Sequence, residues 1–421
     1  MNDVRALAPA EVQDRLRRPW SGSEEWAFLD LRPAPEAAEA HPFGSANPPF
    51  EDLDHIAALV PRPATPLIIL DGRDGVAERT AARLAAEGRS DIAVVEGGVP
   101  GWQAAGLLSL EGEHTWSKTF GEWVHEAFAV PEIGPEGLRE RMSMPDAPLL
   151  VDGRPVEQHR AFTLPGARSC SNAELALRLP AMADVGTPLV VHCAGRTRSI
   201  IGAQTVRDFN LPYPVAALRN GTQGWALAGL EREEGADPSP PNGLATEGLV
   251  AVKAQVNATL ARHAIPTLNA GTLDEWRRDE ARTTYFRDPR PDGEDVPPPG
   301  CRRVPGTTLV QETLRTLAVR GARVVLWDPL PVRAAFAAIR LRRMGLDAHV
   351  LTEPPRDPPS GEPRLTSRPR WAGAARAFAG RHHGVLSDAR ACLDWEAGLV
   401  PRLRAAGLLP WPAALTTLAK P

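Results

Sequence analysis

Pro188-Leu189-Val190-Val191-His192-Cys193-Ala194-Gly195-Arg196-Thr197-Arg198-Ser199-Ile200-Ile201-Gly202-Ala203 contains three elements in one short stretch. The apolar run reads as a buried strand, the polar residues that open on a thiol as a tight loop, and the return of apolar residues as a helix. In such a loop successive backbone N–H groups converge, and the start of the helix adds partial positive charge. A thiol at that spot ionises more easily than an ordinary cysteine and can hold an anionic group on its sulfur. Sulfur chemistry at Cys193 is the first expectation.

Working outward, the same strand–loop spacing recurs. Asp-x-Arg-Pro appears three times near the end of a short apolar or aromatic run: Asp30-Leu31-Arg32-Pro33, Asp152-Gly153-Arg154-Pro155 and Asp288-Pro289-Arg290-Pro291. A second apolar strand follows each, ending at Asp71, Cys193 and Asp328, which lie 41, 41 and 40 residues downstream. Gly98-Val99-Pro100-Gly101-Trp102 then follows Asp71, and Gly221-Thr222-Gln223-Gly224-Trp225 follows Cys193, each after another apolar run. The third copy lacks that Gly-Trp signature. Helical spacing falls at Ala77–Glu87, Ser199–Phe209 and Val332–Met344, between the loop and the last strand. Strand, loop, helix, strand in this order predicts α/β domains with parallel sheets flanked by helices, repeated about every 110–130 residues.

Composition sets the bounds. At 421 residues the chain exceeds one typical core, so two to four domains are expected. A formal net charge of −4 leaves no basic excess to neutralise phosphates, which argues against a nucleic-acid partner. Four dispersed cysteines (170, 193, 301 and 392) offer neither a zinc site nor a disulfide framework, and fit a reducing compartment. No signal-peptide pattern opens the chain and no apolar run reaches spanning length, so a cytoplasmic protein without a membrane partner is expected. Pro-, Gly- and charge-rich linkers are read at Glu231–Asn242 and Pro354–Arg370, and Trp371–Pro421 shows helical spacing around Ala391–Trp395.

Cys193-Ala194-Gly195-Arg196-Thr197-Arg198 resembles the six-residue active loop of rhodanese-type sulfurtransferases. Val151-Asp152-Gly153-Arg154-Pro155-x-Glu157 is similar to the family's upstream motif, and Leu164-Pro165-Gly166-Ala167 to its Ile-Pro-Gly-Ala turn; the Gly221–Trp225 element completes the pattern. Full coverage runs from about Thr119 to Glu233, with weaker coverage of 1–110 and 262–352. The layout resembles multi-domain proteins in which one domain keeps the cysteine and its siblings have lost it. The resemblance divides the chain into a degenerate rhodanese-like domain (1–112), a catalytic one (119–235), a second degenerate one (255–353) and a helical extension or remnant (371–421).

What the resemblance implies is a thiosulfate sulfurtransferase. The Cys193 thiolate takes the outer sulfur of a small anionic donor, becomes a persulfide, and passes the sulfur to cyanide or a thiol. Acceptors of the family type include a thioredoxin-like or sulfur-carrier protein, and no metal or other cofactor is called for. The terminal persulfide sulfur is anionic, so the loop Ala194, Gly195, Arg196, Thr197, Arg198 and Ser199 is expected to present N–H donors with no carboxylate nearby. Gly195 lets the backbone turn. Arg196 and Arg198 are expected to favour a dianionic donor such as thiosulfate, and Arg198 also to orient the loop. Asp71 and Asp328, at the nucleophile position of the flanking copies, cannot form a persulfide, so those copies are expected to be inactive scaffolds or docking modules.

Other residues read as structural. Asp152 and Arg154 form a supporting pair at a strand end. His192 alternates to the opposite face of its strand from the thiol. Cys170, Cys301 and Cys392 read as small buried hydrophobes, and Trp102 and Trp225 as core aromatics. Two rivals are a dual-specificity-type phosphatase and a non-catalytic binding protein. The phosphatase loop is Cys-x5-Arg, whereas Cys193 to Arg198 is Cys-x4-Arg, a tighter ring that suits a single sulfur.

Overall fold

Short runs of Val, Ile and Leu without polar alternation need cover on both faces, and here they become the inner strands of parallel sheets. The computed structural model describes residues 4–18, 20, 24–48, 53–237, 246–356 and 386–411. The first module contains β1 (Arg5–Leu7), β2 (Ala27–Asp30), β3 (His41–Pro42), β4 (Leu67–Leu70), β5 (Ile92–Val95) and β6 (Ser109–Leu110). Its main sheet has the parallel order β1-β5-β4-β2, and β3 pairs with β6 in a small antiparallel ribbon. Helix α1 (Thr115–Phe128) leads into the second module, built on β7 (Glu132–Ile133), β8 (Leu149–Asp152), β9 (Arg168–Ser169), β10 (Leu189–His192) and β11 (Val215–Leu218). Two helices flank that sheet's functional end: α2 (Thr197–Asp208) and α3 (Gly221–Leu227).

Helix α4 (Thr246–Arg262) precedes the third sheet, of β12 (Thr267–Leu268), β13 (Thr284–Asp288), β14 (Arg302–Arg303), β15 (Arg323–Trp327) and β16 (Asp347–Leu351). Its helix α5 (Val332–Arg343) lies between β15 and β16, and α6 (Leu386–Ala405) follows. The orders β7-β11-β10-β8-β9 and β12-β16-β15-β13-β14 are the same topology. The first sheet repeats it, with the outer strand reduced to a parallel bridge between Leu29 and Ala46. Each Asp-x-Arg motif ends an equivalent strand in a buried ion pair: Asp30–Arg32 at 2.6 Å, Asp152–Arg154 at 2.7 Å and Asp288–Arg290 at 2.8 Å.

Helix boundaries differ from the sequence reading in one way that matters. The second module's helix opens at Thr197, so part of the expected loop is its first turn. The Gly-Trp signatures form short helices, Gly98–Ala104 and Gly221–Leu227. Trp102 and Trp225 are buried, their indole N–H groups donating to Leu108 O at 3.0 Å and Glu231 O at 2.8 Å.

The modules share their packing. Asp208, the last residue of α2, is gripped by Arg340 at 2.9 Å and Arg343 at 2.8 Å from α5. A carboxylate at a helix C-terminus meets the wrong end of the dipole. Burial also opposes its charge, yet the two guanidinium groups outweigh it and bring the pKa down to about 2. Glu25 of the first module accepts from the N–H and hydroxyl of Thr283 at 2.6 and 2.9 Å, beside an antiparallel bridge from Trp26 to Arg320. Beyond α6, Trp411 inserts among Trp116, Phe120 and Trp123 of α1, with ring centroids 5.1–5.8 Å apart.

Residues 238–242 of the first expected linker, most of the second, and 371–385 and 412–421 of the expected extension lie outside the described residues. Among the described residues, no helix is long and apolar enough to cross a membrane.

Candidate functional site

The site begins where β10 stops pairing. Gly153 N donates to His192 O at 2.9 Å, so the chain leaves the sheet at Cys193. The first turn of α3 then holds the loop from outside: Thr222 N donates to Cys193 O at 2.8 Å and Gln223 N to Ala194 O at 2.9 Å. This approach needs Gly221. Its φ is +53°, and a Cβ there would overlap Cys193 O and sit 2.7 Å from Gly195 O. From below, Asn172 Nδ2 donates to Arg198 O at 2.7 Å, in a space that any Cβ on Gly153 or Gly202 would fill.

Cys193 is 2 % exposed at the base of this loop, and Ser199 Oγ donates to its Sγ at 3.1 Å. Burial lowers the pKa of Arg198, outweighing its attraction to negative charge at the Cys193 position. Its Nη1 donates to Gln158 Oε1 at 3.0 Å. Arg196 behaves differently. Its guanidinium is bidentate to Glu122 of α1 at 2.6 and 2.9 Å, donates to Asn220 Oδ1 at 3.2 Å, and lies 3.7 Å from Glu132. The expectation that both arginines receive the donor is therefore corrected: Arg196 ties the loop to α1, because a planar fork matches a buried carboxylate.

A second correction concerns charge. The loop was expected to be free of carboxylates, yet Glu396 of α6 reaches it. Its Oε1 accepts from Thr197 N at 3.1 Å and Thr197 Oγ1 at 2.5 Å. Its Oε2 lies 3.8 Å from Lys118 Nζ, and the ammonium stacks over Trp395 at 4.4 Å. Helix α1 approaches Thr197 so closely that a Cβ on Gly121 would stand 2.8 Å from Thr197 Cγ2. Glu396, Lys118, Glu122 and Asn172 were not found by the sequence reading. The one signal was a glutamate beside the apolar turn Ala391–Trp395.

Asp152 and Arg154 lie behind the loop. Asp152 Oδ2 also accepts from Thr163 Oγ1 and lies 3.1 Å from His159 Nδ1, while Arg154 reaches Phe162 O. Burial opposes the charge of Asp152, but His192, Arg154 and His159 outweigh it and hold its carboxyl well below the usual range. Burial brings His192 down to about 4, against the pull of Asp152, so its ring is neutral at pH 7. Its Nε2 faces Thr163 Oγ1 at 3.4 Å, within this group. Burial also raises the thiols of Cys170, Cys301 and Cys392, which keeps them protonated.

The flanking loops show what an aspartate does at the nucleophile position. Asp71 turns back to accept from Arg73 N at 2.8 Å and Ala77 N at 3.0 Å. Asp328 does the same with Leu330 N at 3.2 Å and Arg333 N at 3.0 Å. Each carboxylate thus binds one loop N–H and one N–H in the first turn of the helix that follows, a donor the helix itself leaves unpaired. Gly98 meets Asp71 as Gly221 meets Cys193, with φ +59° and a Cβ position 2.6 Å from Asp71 O.

A profile for the rhodanese-like domain matches residues 9–105 and 135–228. The chain is similar over 97% of its length, and 99% of the other's, to the crystal structure of a thiosulfate sulfurtransferase from Pseudomonas aeruginosa, with 28% identity and a TM-score of 0.84. A protein from Anabaena sp. is 20% identical over 27% of this chain and 86% of its own, with a TM-score of 0.23. A rhodanese-related protein from Thermoplasma volcanium is 18% identical over 24% of this chain and 97% of its own, with a TM-score of 0.22. No curated protein matches the sequence.

Proposed function

Since the chain is a tandem rhodanese-type protein of the sulfurtransferase family, we propose that it carries a sulfane sulfur as a persulfide on Cys193. The observation that carries this reading is the contact of Ser199 Oγ with Cys193 Sγ at 3.1 Å, at a loop position where both flanking modules hold an aspartate. A hydroxyl donor beside the sulfur stabilises a thiolate before transfer and an anionic sulfur after it.

The thiolate attacks the outer sulfur of thiosulfate; a new S–S bond forms, the bond to the sulfonate sulfur breaks, and its electron pair leaves with sulfite. A nucleophilic acceptor, cyanide or a thiol, then attacks the outer persulfide sulfur and returns the Cys193 thiolate. Both steps use only the cysteine and its substrates. The donor is a small anion, and thiosulfate is the example that the name of the Pseudomonas aeruginosa protein supplies. The acceptor class extends to a thioredoxin-like or sulfur-carrier protein.

Incubation with thiosulfate followed by intact mass measurement tests the reading. The expected result is one added sulfur atom, lost on treatment with cyanide and absent in Cys193→Ser. Hydrolysis of a phosphate ester without sulfur uptake overturns it in favour of a phosphatase.

A further inference from the structure

Helix α6 carries charge to the mouth of the Cys193 loop, and that charge bears on which donors enter. Glu396 is 4 % exposed, one carboxylate oxygen on the Thr197 N–H and hydroxyl, the other toward Lys118. The second oxygen also lies 3.7 Å from the Cβ position of Gly195, so the group stands over the loop crest and not merely at its edge. Trp411 and the buried Leu399, Val400 and Leu403 anchor the helix, which gives the carboxylate little freedom to swing away.

Arg196 is already spent on Glu122 and Glu132, which leaves Lys118 as the cation against the second oxygen of Glu396. His125 stands behind Glu132 at 3.4 Å. In the flanking modules the N–H of the second helical residue, Ala77 or Arg333, binds the carboxylate of the module's own Asp71 or Asp328. In the middle module the nucleophile position is a thiol, and the carboxylate at the helix start comes from another element.

We propose that Glu396 is a specificity-determining residue that makes the Cys193 loop take monoanionic sulfane-sulfur donors in preference to dianionic ones. This rests on the sulfurtransferase reading. Coulomb repulsion is linear in donor charge, so whatever factor Glu396 imposes on a monoanion is squared for a dianion of similar shape. Thiosulfate and methanethiosulfonate make that comparison, because a methyl group replaces one charged oxygen. In both, Cys193 sulfur bonds to the outer sulfur and the old S–S bond breaks. Sulfite leaves in the first case and methanesulfinate in the second, and total charge is conserved.

The test compares kcat/KM for the two donors, with cyanide as acceptor, in the parent protein, Glu396→Gln and Lys118→Gln. Glu396→Gln is expected to raise the value for thiosulfate about tenfold and for methanethiosulfonate about threefold, mainly through KM. Lys118→Gln, which leaves Glu396 uncompensated, is expected to shift the ratio the opposite way. Equal changes for both donors, or ratio shifts in the same direction in the two variants, overturn the role of Glu396 while leaving sulfur transfer intact. Failure of both donors to load sulfur onto Cys193 in the parent protein overturns the sulfurtransferase reading, and this role with it.

Discussion

Ser199 Oγ donates to Cys193 Sγ at 3.1 Å, and it does so from the first turn of the helix that the thiol loop begins. In the first module the residue six positions after the loop's first residue is Ala77, whose N–H binds Asp71 instead. The serine hydroxyl therefore belongs with the thiol. Ser199→Ala is expected to slow alkylation of Cys193 by iodoacetamide at neutral pH about tenfold, since a hydrogen bond to a charged group contributes about 1.5 kcal/mol. An unchanged alkylation rate removes Ser199 from the account.

The two loop arginines should separate cleanly. Arg196→Ala strands the buried Glu122 and is expected to destabilise the protein by about 3 kcal/mol, with little effect on the KM for thiosulfate. Arg198→Ala is expected to raise that KM about tenfold at unchanged unfolding midpoint. Urea unfolding and steady-state kinetics on both variants check the split, and a reversed pattern returns Arg196 to the donor site.

Asp208 holds the far end of α2 against two arginines of the third module. Asp208→Ala leaves two buried guanidinium groups without their carboxylate, so a loss of about 3–5 kcal/mol is expected. Because the modules pack together, the measurement is whether the middle and third modules still unfold in a single transition. Separate transitions are the expected result.

Burial pushes Asp328 up to about 6, against the pull of Arg333 and the N–H groups of Arg333 and Leu330. The folded state thus binds this proton more tightly than the unfolded chain. The cost of ionising Asp328 is absent below the unfolded value and grows as pH rises through the folded one. Asp328→Asn is therefore expected to gain about 1.5 kcal/mol relative to the parent between about pH 5 and pH 7.5. Urea midpoints at the two pH values give the difference, and a pH-independent offset refutes the assignment.

Local sequence carried the strand–loop–helix unit and its repetition, because apolar runs and Asp-x-Arg pairs depend on neighbours a few residues away. It also placed Cys193 and Ser199 together, since they share one loop and one helical turn. It did not foresee where Arg196 points. An arginine beside a thiol reads as a substrate cation until its partner is known, and Glu122 stands 74 residues away on a helix whose close approach to Thr197 needs Gly121. Glu396 was further from view, 199 residues from Thr197 and recognisable only after α6 is seated by its aromatic anchor. Long-range docking hides charge placement, even where secondary structure is plain.

Helix α2 is about 18 Å long by its rise per residue, with the Cys193 loop at one end and Asp208 at the other. Excising the middle module by its family boundaries would remove Arg340 and Arg343 from one end and Glu396 from the other. Such a fragment would retain the motif yet lose what braces it at both extremities. The smallest piece of this protein worth assaying as an enzyme is thus larger than the domain that bears the cysteine.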